Sequence, residues 1–254
     1  MFDRTRIESP SAERRTALKA LLLLATSAPM AARAANWQQT SASEMGDVAV
    51  APDGLVWLAG RNGTVWFTAD GGATFTKTDA SGFRRLSVAP NGVVWAVGSN
   101  GTLWRRRGSD WTQTKASDMG DVAAAPSGAV WLAGRNGTVW FTGDEGRSFT
   151  QIEGAGFSRI SAGPVGVVWA VGANGTLWKY AGGKWVQSAA SDIGDVSVAP
   201  DGKLWLAGRN GTVWTSVTGT EFTRDTKASG FESIAATHNG AWAVGSNGTL
   251  WKFG

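Results

Sequence analysis

The sequence predicts a six-bladed β-propeller, an all-β ring of four-stranded blades, from three observations. First, the tripeptide Asn-Gly-Thr occurs six times at intervals of 36 to 38 residues, and a fixed period of this length is typical of repeat architectures. Second, one Trp stands five residues before each copy, and another stands four residues after its Asn. Third, 35 Gly and 15 Trp indicate many tight turns between bulky strands. The copies begin at Asn62, Asn100, Asn136, Asn174, Asn210 and Asn247.

The repeats come in pairs. Odd copies read Trp-Leu-Ala-Gly-Arg-Asn-Gly-Thr-Val-Trp, whereas even copies read Trp-Ala-Val-Gly-(Ser/Ala)-Asn-Gly-Thr-Leu-Trp. The longer period is about 74 residues. The propeller is therefore predicted to consist of three tandem two-blade units.

Each repeat has the pattern of four short strands. In the first repeat these are Asp47–Ala51, Leu55–Ala59, Thr64–Thr68 and Phe75–Thr78. Asn-Gly between the second and third strands is a strong hairpin signal, because both residues tolerate a positive φ. Four strands without helical periodicity are typical of a propeller blade.

The two ends of the chain predict how the ring closes. The last repeat stops after its third strand at Gly254. At the other end, Trp37–Thr40 aligns with Trp111–Thr114 and Trp185–Ser188, the fourth strands of the second and fourth blades. We expect the N-terminal strand Trp37–Thr40 to complete the sixth blade, which would remove an exposed sheet edge.

Residues 1–34 have the pattern of an export signal. Basic residues precede an apolar run, Ala20–Ala32, and Ala-Arg-Ala follows as a cleavage site. Glu13–Lys19 resembles the twin-arginine export motif, although a general secretory signal remains possible. The run is too short to span a bilayer. The mature domain, residues 35–254, is therefore expected in the periplasm or outside the cell, without membrane insertion.

Composition excludes several function classes. The chain has no Cys and one His, so we expect no metal and no cofactor. Residues 35–254 hold 18 basic and 17 acidic side chains, which gives no electrostatic case for nucleic acid. We expect a monomer, and Arg105–Arg107 is interpreted as a solvated strand end.

The even repeats carry a family resemblance. Phe83–Trp104, together with Trp111, resembles a tectonin repeat, and the segments beginning at Phe157 and Phe231 are similar. The resemblance implies a six-bladed propeller. Many tectonins are lectins for glycans or bacterial surface saccharides, so it also implies carbohydrate binding.

The odd repeats carry a second resemblance. Thr68–Phe75 and Thr142–Phe149 resemble the Asp-box, Ser-x-Asp-x-Gly-x-Thr-Trp. A third copy, Thr215–Phe222, is interpreted as degenerate, with Val217 in place of the Asp. Asp-boxes occur in sialidases and in propellers resembling photosystem II assembly factors. The motif stabilises a turn, because its carboxylate accepts backbone N–H groups, and it does not itself indicate catalysis.

Most Trp residues, and the few candidate catalytic groups, favour a structural interpretation. Twelve Trp occupy the same two positions in all six repeats, as packing between blades requires. Tyr180 stands beside a turn and His238 lies in one, so no catalytic residue is predicted. A degenerate glycoside hydrolase remains open.

Candidate ligand-binding residues form three polar niches in the odd blades. In each, an Arg of the second-to-third strand hairpin is expected beside two acidic residues of the loop entering the blade. Such groups bind sugar hydroxyls, but an internal Arg–Asp pair that ties the loops together remains open and is slightly favoured. The leading function is glycan binding at up to three sites, and the alternative is a periplasmic protein-binding scaffold or assembly factor. The nine residues are Arg61, Glu44, Asp47, Arg135, Asp118, Asp121, Arg209, Asp192 and Asp195.

Overall fold

The computed structural model describes residues 36–254, and they form a ring of six four-stranded antiparallel sheets. The predicted export signal, residues 1–34, lies outside the described residues. In five of the blades four consecutive strands follow one another across the sheet, and in the sixth the outermost strand is the first strand of the described residues. This confirms the predicted six-bladed propeller. In the part of the chain that the structure describes, no helix is long and apolar enough to cross a membrane.

The strands have the following bounds. Blade 1 contains β2 (Met45–Val50), β3 (Val56–Gly60), β4 (Val65–Thr68) and β5 (Thr76–Lys77). Blade 2 contains β6 (Phe83–Val88), β7 (Val94–Gly98), β8 (Leu103–Arg107) and β9 (Asp110–Gln113). Blade 3 contains β10 (Met119–Ala124), β11 (Val130–Gly134), β12 (Val139–Thr142) and β13 (Thr150–Ile152). Blade 4 contains β14 (Phe157–Ala162), β15 (Val168–Gly172), β16 (Leu177–Ala181) and β17 (Lys184–Gln187).

The last two blades complete the ring. Blade 5 contains β18 (Ile193–Val198), β19 (Leu204–Gly208), β20 (Val213–Ser216) and β21 (Thr223–Asp225). Blade 6 contains β22 (Phe231–Ala236), β23 (Ala241–Gly245), β24 (Leu250–Phe253) and, at its outer edge, β1 (Trp37–Gln39). A single turn of 3-10 helix, Pro164–Gly166, stands between β14 and β15.

The N-terminal strand closes the ring as predicted. Strand β1 pairs antiparallel with β24, with Trp37 opposite Phe253 and Gln39 opposite Trp251. The first and last strands of the described residues thus share one sheet, and blade 6 has four strands like the other blades.

The core lies between blades rather than within one sheet. All five residues of every second strand are buried, and six hydrophobic clusters each combine residues of two adjacent blades. Trp57 is 3 % exposed and Trp95 is 2 % exposed. The second-strand Trp residues therefore hold neighbouring blades together.

Each first strand begins with a β-bulge. In blade 1 the register shifts between Met45 and Asp47, so Gly46 has no partner on β3. The same shift occurs in all the other blades. A bulge changes the direction of the side chain that follows it, and this determines where the predicted site residues point.

The turns that resemble Asp-boxes pack odd blades onto the preceding even blades. In blade 3, Asp144 accepts hydrogen bonds from the N–H groups of Arg147 and Ser148, each at 3.0 Å. Gly146, at φ +80°, lies against Trp95 of blade 2, where an added Cβ would stand 3.1 Å from the ring. In the odd blades this turn is therefore a contact between blades.

The third such turn differs from its sequence interpretation. The N–H groups of Thr220 and Glu221 donate to the Thr218 hydroxyl at 3.2 Å, in the way that Asp70 is used in blade 1. Thr218, and not Val217, therefore stands at the Asp position. The turn is one residue shorter than in blades 1 and 3, which shifts the alignment.

The run Arg105–Arg107 is not a free solvated strand end. Arg105 and Arg107 donate to the Glu145 carboxylate of blade 3 at 3.1 and 2.5 Å. Arg106 stacks over Trp57 of blade 1, with its Cζ 4.9 Å from the ring centroid. The three guanidiniums contact the blades on both sides of blade 2.

Candidate functional site

The structure separates the nine predicted niche residues into three sets. The three Arg lie in the second-to-third strand hairpins and are exposed. Glu44 and its equivalents lie in the loops that enter the odd blades, and they are exposed too. Asp47 and its equivalents are buried in the first strands, where they line the central channel. The structure therefore directs one acidic residue of each predicted niche into the channel, whereas the Arg and the other acidic residue stay at the surface.

The three Arg side chains join each odd blade to the even blade before it. Arg135 donates to the Ser99 carbonyl of blade 2, and Arg209 donates to the Ala173 carbonyl of blade 4. Arg61 donates to the Ser246 carbonyl at 2.7 Å and to Glu232 at 2.8 Å, both in blade 6. The hydrogen bonds of these guanidiniums therefore join adjacent blades. A ligand-binding role for these residues stays a prediction.

The acidic residues of the entering loops adopt a left-handed backbone. Glu44, Asp118 and Asp192 all have φ +60°, whereas the even blades have Gly at this position. Their carbonyls accept the N–H of Arg61, Arg135 and Arg209, each at 2.8 Å. A non-glycine residue in this region costs of order 1 kcal/mol. Among residues 36–254, these three carboxylates have no hydrogen-bond or ion-pair partner.

A ring of alternating charge lies in the central channel, and the sequence analysis did not predict it. The residue after each bulge points inward, and it is Asp in the odd blades and Arg in blades 2 and 4. In blade 6 it is Ser. The signal was present in the repeat alignment, because these positions follow the bulge residue in every copy. In order around the ring they are Asp47, Arg85, Asp121, Arg159, Asp195 and Ser233.

The charges of the ring pair unevenly. Asp47 Oδ1 accepts hydrogen bonds from Arg85 Nη1 and Ser233 Oγ, both at 2.9 Å. Arg159 Nε lies 3.6 Å from Asp195 Oδ1. Asp121 stands between the two guanidiniums in ring order, yet neither donates to it. One carboxylate is therefore left without a cationic partner.

Each ring carboxylate also ties its blade to the next. The backbone N–H of Leu86 donates to Asp47, that of Ile160 to Asp121, and that of Ile234 to Asp195, at 2.8 to 2.9 Å. These bonds cross the junctions between each odd blade and the even blade that follows.

Burial shifts the ionisation of the ring. Burial raises the pKa of Asp121 to about 6, although Arg159 and Arg85 act to lower it. Burial also raises the pKa of Asp195. For Arg85, burial favours the neutral form, but Asp47, Asp121 and Asp195 together raise its pKa above the ordinary value. The two guanidiniums therefore offset only part of the increase in pKa that burial causes in these acids.

The ring opens toward one face of the propeller. A cavity of about 140 Å³ is lined by four of the ring residues, Asp47, Arg85, Asp121 and Asp195. A second cavity of about 340 Å³ lies at the mouth formed by the first-to-second strand turns, and His238 is among its lining residues. The two cavities therefore meet. They share Val50, Val88, Ala124, Ala162, Val198 and Ala236.

Three further cavities occupy equivalent places near the outer edge of blades 1, 2 and 5. The cavity of blade 2 measures about 340 Å³ and lies between Trp104, Trp111, Phe83, Ser81 and Asn100. Those of blades 1 and 5 each measure about 370 Å³. We call these three cavities the blade-edge clefts. The matching residues are Trp66, Phe75 and Ser43 in blade 1, and Trp214, Phe222, Ser191 and Asn210 in blade 5.

A chain of hydrogen bonds fixes one aromatic wall of each cleft. In blade 2 the indole Nε1 of Trp104 donates to the Thr102 hydroxyl at 2.8 Å, which donates to Asn100 Oδ1 at 2.7 Å. The same chain occurs in all six blades. The side-chain oxygen of this Asn therefore has no free lone pair, whereas the amide N–H₂ of the same side chain can still donate to another acceptor.

The fold and its sixfold repeat define this protein as a six-bladed β-propeller. No protein-family profile matches the sequence, and no curated protein matches it. Among solved structures, "YCF48 bound to D1 peptide" is 22 % identical, with a TM-score of 0.57 over 87 % of this chain and 82 % of that chain.

Two other solved structures share the fold. YCF48 from Cyanidioschyzon merolae is 17 % identical, with a TM-score of 0.58 over 86 % of this chain and 98 % of that chain. XC5397 from Xanthomonas campestris, described as a gluconolactonase, is 12 % identical, with a TM-score of 0.68 over 86 % of this chain and 89 % of that chain. At these identities the likeness establishes the fold alone.

Proposed function

We propose that this chain is an exported, non-catalytic carbohydrate-binding propeller, and that its sites are the blade-edge clefts. The observation that carries the proposal is the repetition of one cleft in blades 1, 2 and 5, each lined by a third-strand Trp, a fourth-strand Trp or Phe, and a Ser of the entering loop. Their volumes fall in the lower part of the ~300–1,000 Å³ range of small-ligand pockets.

The lining of the clefts suits a sugar. A pyranose presents apolar C–H groups on one face and hydroxyls around its rim. In blade 2 the C–H face of the sugar would contact the half-buried rings of Trp104 and Trp111. Its hydroxyls would form hydrogen bonds with the Ser81 hydroxyl and the Asn100 amide. Tryptophan offers a large rigid surface of this kind. The clefts therefore replace the three Arg niches as the preferred sites.

The placement of the candidate catalytic groups supports a binding role. The Tyr180 ring packs between Trp131 and Trp185, with centroids 5.2 and 5.1 Å away, so it acts as a core aromatic. His238 lies at the channel mouth. Among residues 36–254, no three His, Asp or Glu side chains are grouped as a metal site requires.

The export part of the proposal rests on residues 1–34. Their basic, apolar and Ala-Arg-Ala segments have the order of a cleaved signal. Delivery to the periplasm or the cell exterior would bring the clefts to cell-surface saccharides. N-terminal sequencing of the mature protein tests this step, with a start near Ala35 as the expected result.

A protein-binding scaffold is the second candidate. The observation that favours it is the likeness in fold to YCF48, which has been solved with a bound peptide. A propeller of this kind would bind a partner chain, and co-purification of one defined protein with the exported domain would support this alternative.

A glycan array that includes bacterial polysaccharides tests the leading proposal. The three cleft serines are exposed and make no hydrogen bond within the described residues, so Arg at these positions should block the clefts without disturbing the core. We expect the wild-type domain to bind, and the blocked variant to lose at least tenfold in affinity. The blocked variant is Ser43→Arg, Ser81→Arg and Ser191→Arg combined.

A matched control adds the same charge at the other face. Asn91, Ser127 and Asn239 lie in first-to-second strand turns, away from the clefts, and the triple Arg variant there should bind glycans like the wild type. Equal loss in both variants, or no glycan bound by the wild type, would overturn the proposal.

A further inference from the structure

The central ring lacks one cation. Each two-blade unit supplies one Asp to the ring, but the basic positions of the three units hold Arg85, Arg159 and then Ser233. With both guanidiniums charged and all three carboxylates ionised, the ring has a net charge of −1. The third unit therefore leaves the ring one positive charge short.

Asp121 is the ring carboxylate that neither guanidinium contacts. It is 7 % exposed, and its Oδ2 accepts the Ile160 N–H at 2.8 Å. Among residues 36–254, no group donates to its Oδ1. Blades 3 and 6 are opposite each other in a ring of six, so Asp121 faces the gap at Ser233 across the channel. Asp121 Oδ1 is not one of the fully buried polar atoms without a partner and opens onto the cavity, where a donor group of a ligand can reach it.

We propose that the channel binds a slender organic cation, with its ammonium group at Asp121 and its alkyl chain directed toward the mouth. The ammonium would lie in the channel between Asp121 and the gap at Ser233, where it would donate to Asp121 Oδ1 and supply the positive charge that the ring lacks. The small apolar side chains that the two cavities share, such as Ala124 and Val198, would line the path of the alkyl chain.

The charges around this position favour a cation over an anion. Asp47 and Asp195 face the same cavity as Asp121, so an anion would meet three carboxylates and only two guanidiniums. The three carboxylates stand on alternate blades. Within the described residues, no three acidic side chains converge as a metal ion requires. An alkylammonium ion needs only one close carboxylate.

The buried guanidiniums leave room for a polar ligand. The Nε atoms of Arg85 and Arg159 are buried without a hydrogen-bond acceptor among residues 36–254. Each would donate to water or to a hydroxyl that a cationic ligand carries beside its ammonium. Both guanidiniums keep their carboxylate contacts, and neither competes with the ligand for Asp121.

Isothermal titration of the propeller domain with n-butylammonium chloride tests the proposal, with n-butanol and sodium butyrate as probes of the same length. We expect binding of the ammonium alone. Asp121→Asn keeps an oxygen for the Ile160 N–H and should weaken binding at least tenfold. Ser233→Arg, which fills the gap, should abolish it.

Asp118→Asn is the matched control, because it removes one carboxylate from an exposed loop of the same blade. It should bind n-butylammonium like the wild type. In the wild type, the affinity for n-butylammonium should fall about tenfold between pH 7.5 and pH 5, because Asp121 becomes protonated. The other charged or titratable groups near the ligand are Asp47, Asp195, Arg85 and Arg159 of the ring, Arg84 at the bulge of blade 2, and His238 at the channel mouth.

Three results would overturn the proposal. They are no binding of n-butylammonium to the wild type, equal binding by the wild type and a folded Asp121→Asn variant, and tighter binding of butyrate than of the ammonium. None of them bears on glycan binding at the blade-edge clefts, which the glycan array tests separately.

Discussion

The indole Nε1 of Trp37 donates a 2.9 Å hydrogen bond to Oδ2 of Asp225, although 188 positions separate the two residues along the chain. Trp37 begins the outermost strand of blade 6, and Asp225 ends the outermost strand of blade 5. The closing strand is thus held by a contact with the neighbouring blade as well as by its pairing with β24.

Replacing Trp37 should open this closure. Its ring packs on Phe231 at 4.6 Å, on Phe253 at 5.3 Å and on Trp205 at 6.2 Å between centroids. We expect Trp37→Ala to lower the free energy of unfolding by about 3 kcal/mol, measured by denaturant titration. Gln38→Ala, at an exposed position of the same strand, should have little effect. An unchanged stability in Trp37→Ala would contradict the role of this strand in closure.

Asp121 should make stability depend on pH near neutrality. Its pKa is raised from the ordinary 3.8 to about 6 in the folded state, so the folded state binds a proton more tightly than the unfolded chain. The stabilisation is complete below pH 3.8 and is lost as the pH rises through about 6. A change in pKa of this size corresponds to about 3 kcal/mol, and this is what the ionised group costs the folded state at pH 7.5.

Unfolding of Asp121→Asn between pH 4.5 and pH 8 measures that contribution. The variant should be more stable than the wild type at pH 7.5, and the advantage should shrink toward pH 4.5. Part of the dependence of the free energy of unfolding on pH should remain in the variant, because burial raises the pKa of Asp195 as well. A constant difference between the two proteins across this range would show that Asp121 titrates normally.

The hairpin Arg residues should act on stability. Arg135 donates from blade 3 to the Ser99 carbonyl of blade 2, so Arg135→Ala should lower the free energy of unfolding by about 1 kcal/mol. Arg147→Ala, at an exposed turn residue, is the control. If Arg135→Ala instead lost glycan affinity at unchanged stability, the predicted niche would be a binding site.

The Asp-box-like turns should contribute unequally. Hydrogen bonds from the Ser148 hydroxyl and N–H hold the pKa of Asp144 well below its usual range. The ionised carboxylate therefore stabilises the fold above pH 3.8 and loses this effect at lower pH. We expect Asp144→Ala to lower the Tm at pH 7 more than Thr218→Ala does, because a hydroxyl is the weaker acceptor. Equal losses would contradict this ranking.

The blade count, the pairing of blades and the closing strand could all be predicted, because each depends on repetition that is visible in the chain. The position of Asp47 could not be predicted in the same way. A loop and strand that continued without interruption would place its carboxylate beside Arg61, but the bulge at Gly46 turns it into the channel. Bulges follow from local backbone geometry that the alternation of residues does not reveal.

Contacts between blades are the second feature that could not be predicted from the sequence. The partners of Arg61 lie 171 and 185 positions away, and nothing in a single repeat indicates which neighbouring blade a long side chain reaches. The charge ring was accessible in principle, since Arg85 and Arg159 align with the three Asp. The more obvious difference between odd and even blades lies in their hairpins, where Arg alternates with Ser or Ala, and it directs attention away from the first strands.

The closing strand has a consequence for how such a ring could arise. Trp37, Trp111 and Trp185 begin three segments spaced 74 residues apart, and each segment starts with a fourth strand and ends after a third. Each segment thus donates its first strand to the blade that another segment leaves incomplete. A single segment of this kind contains both halves of the joint, so three separate copies could assemble into the same closed ring. The present chain has the form expected of such a homotrimer after its gene was triplicated and fused.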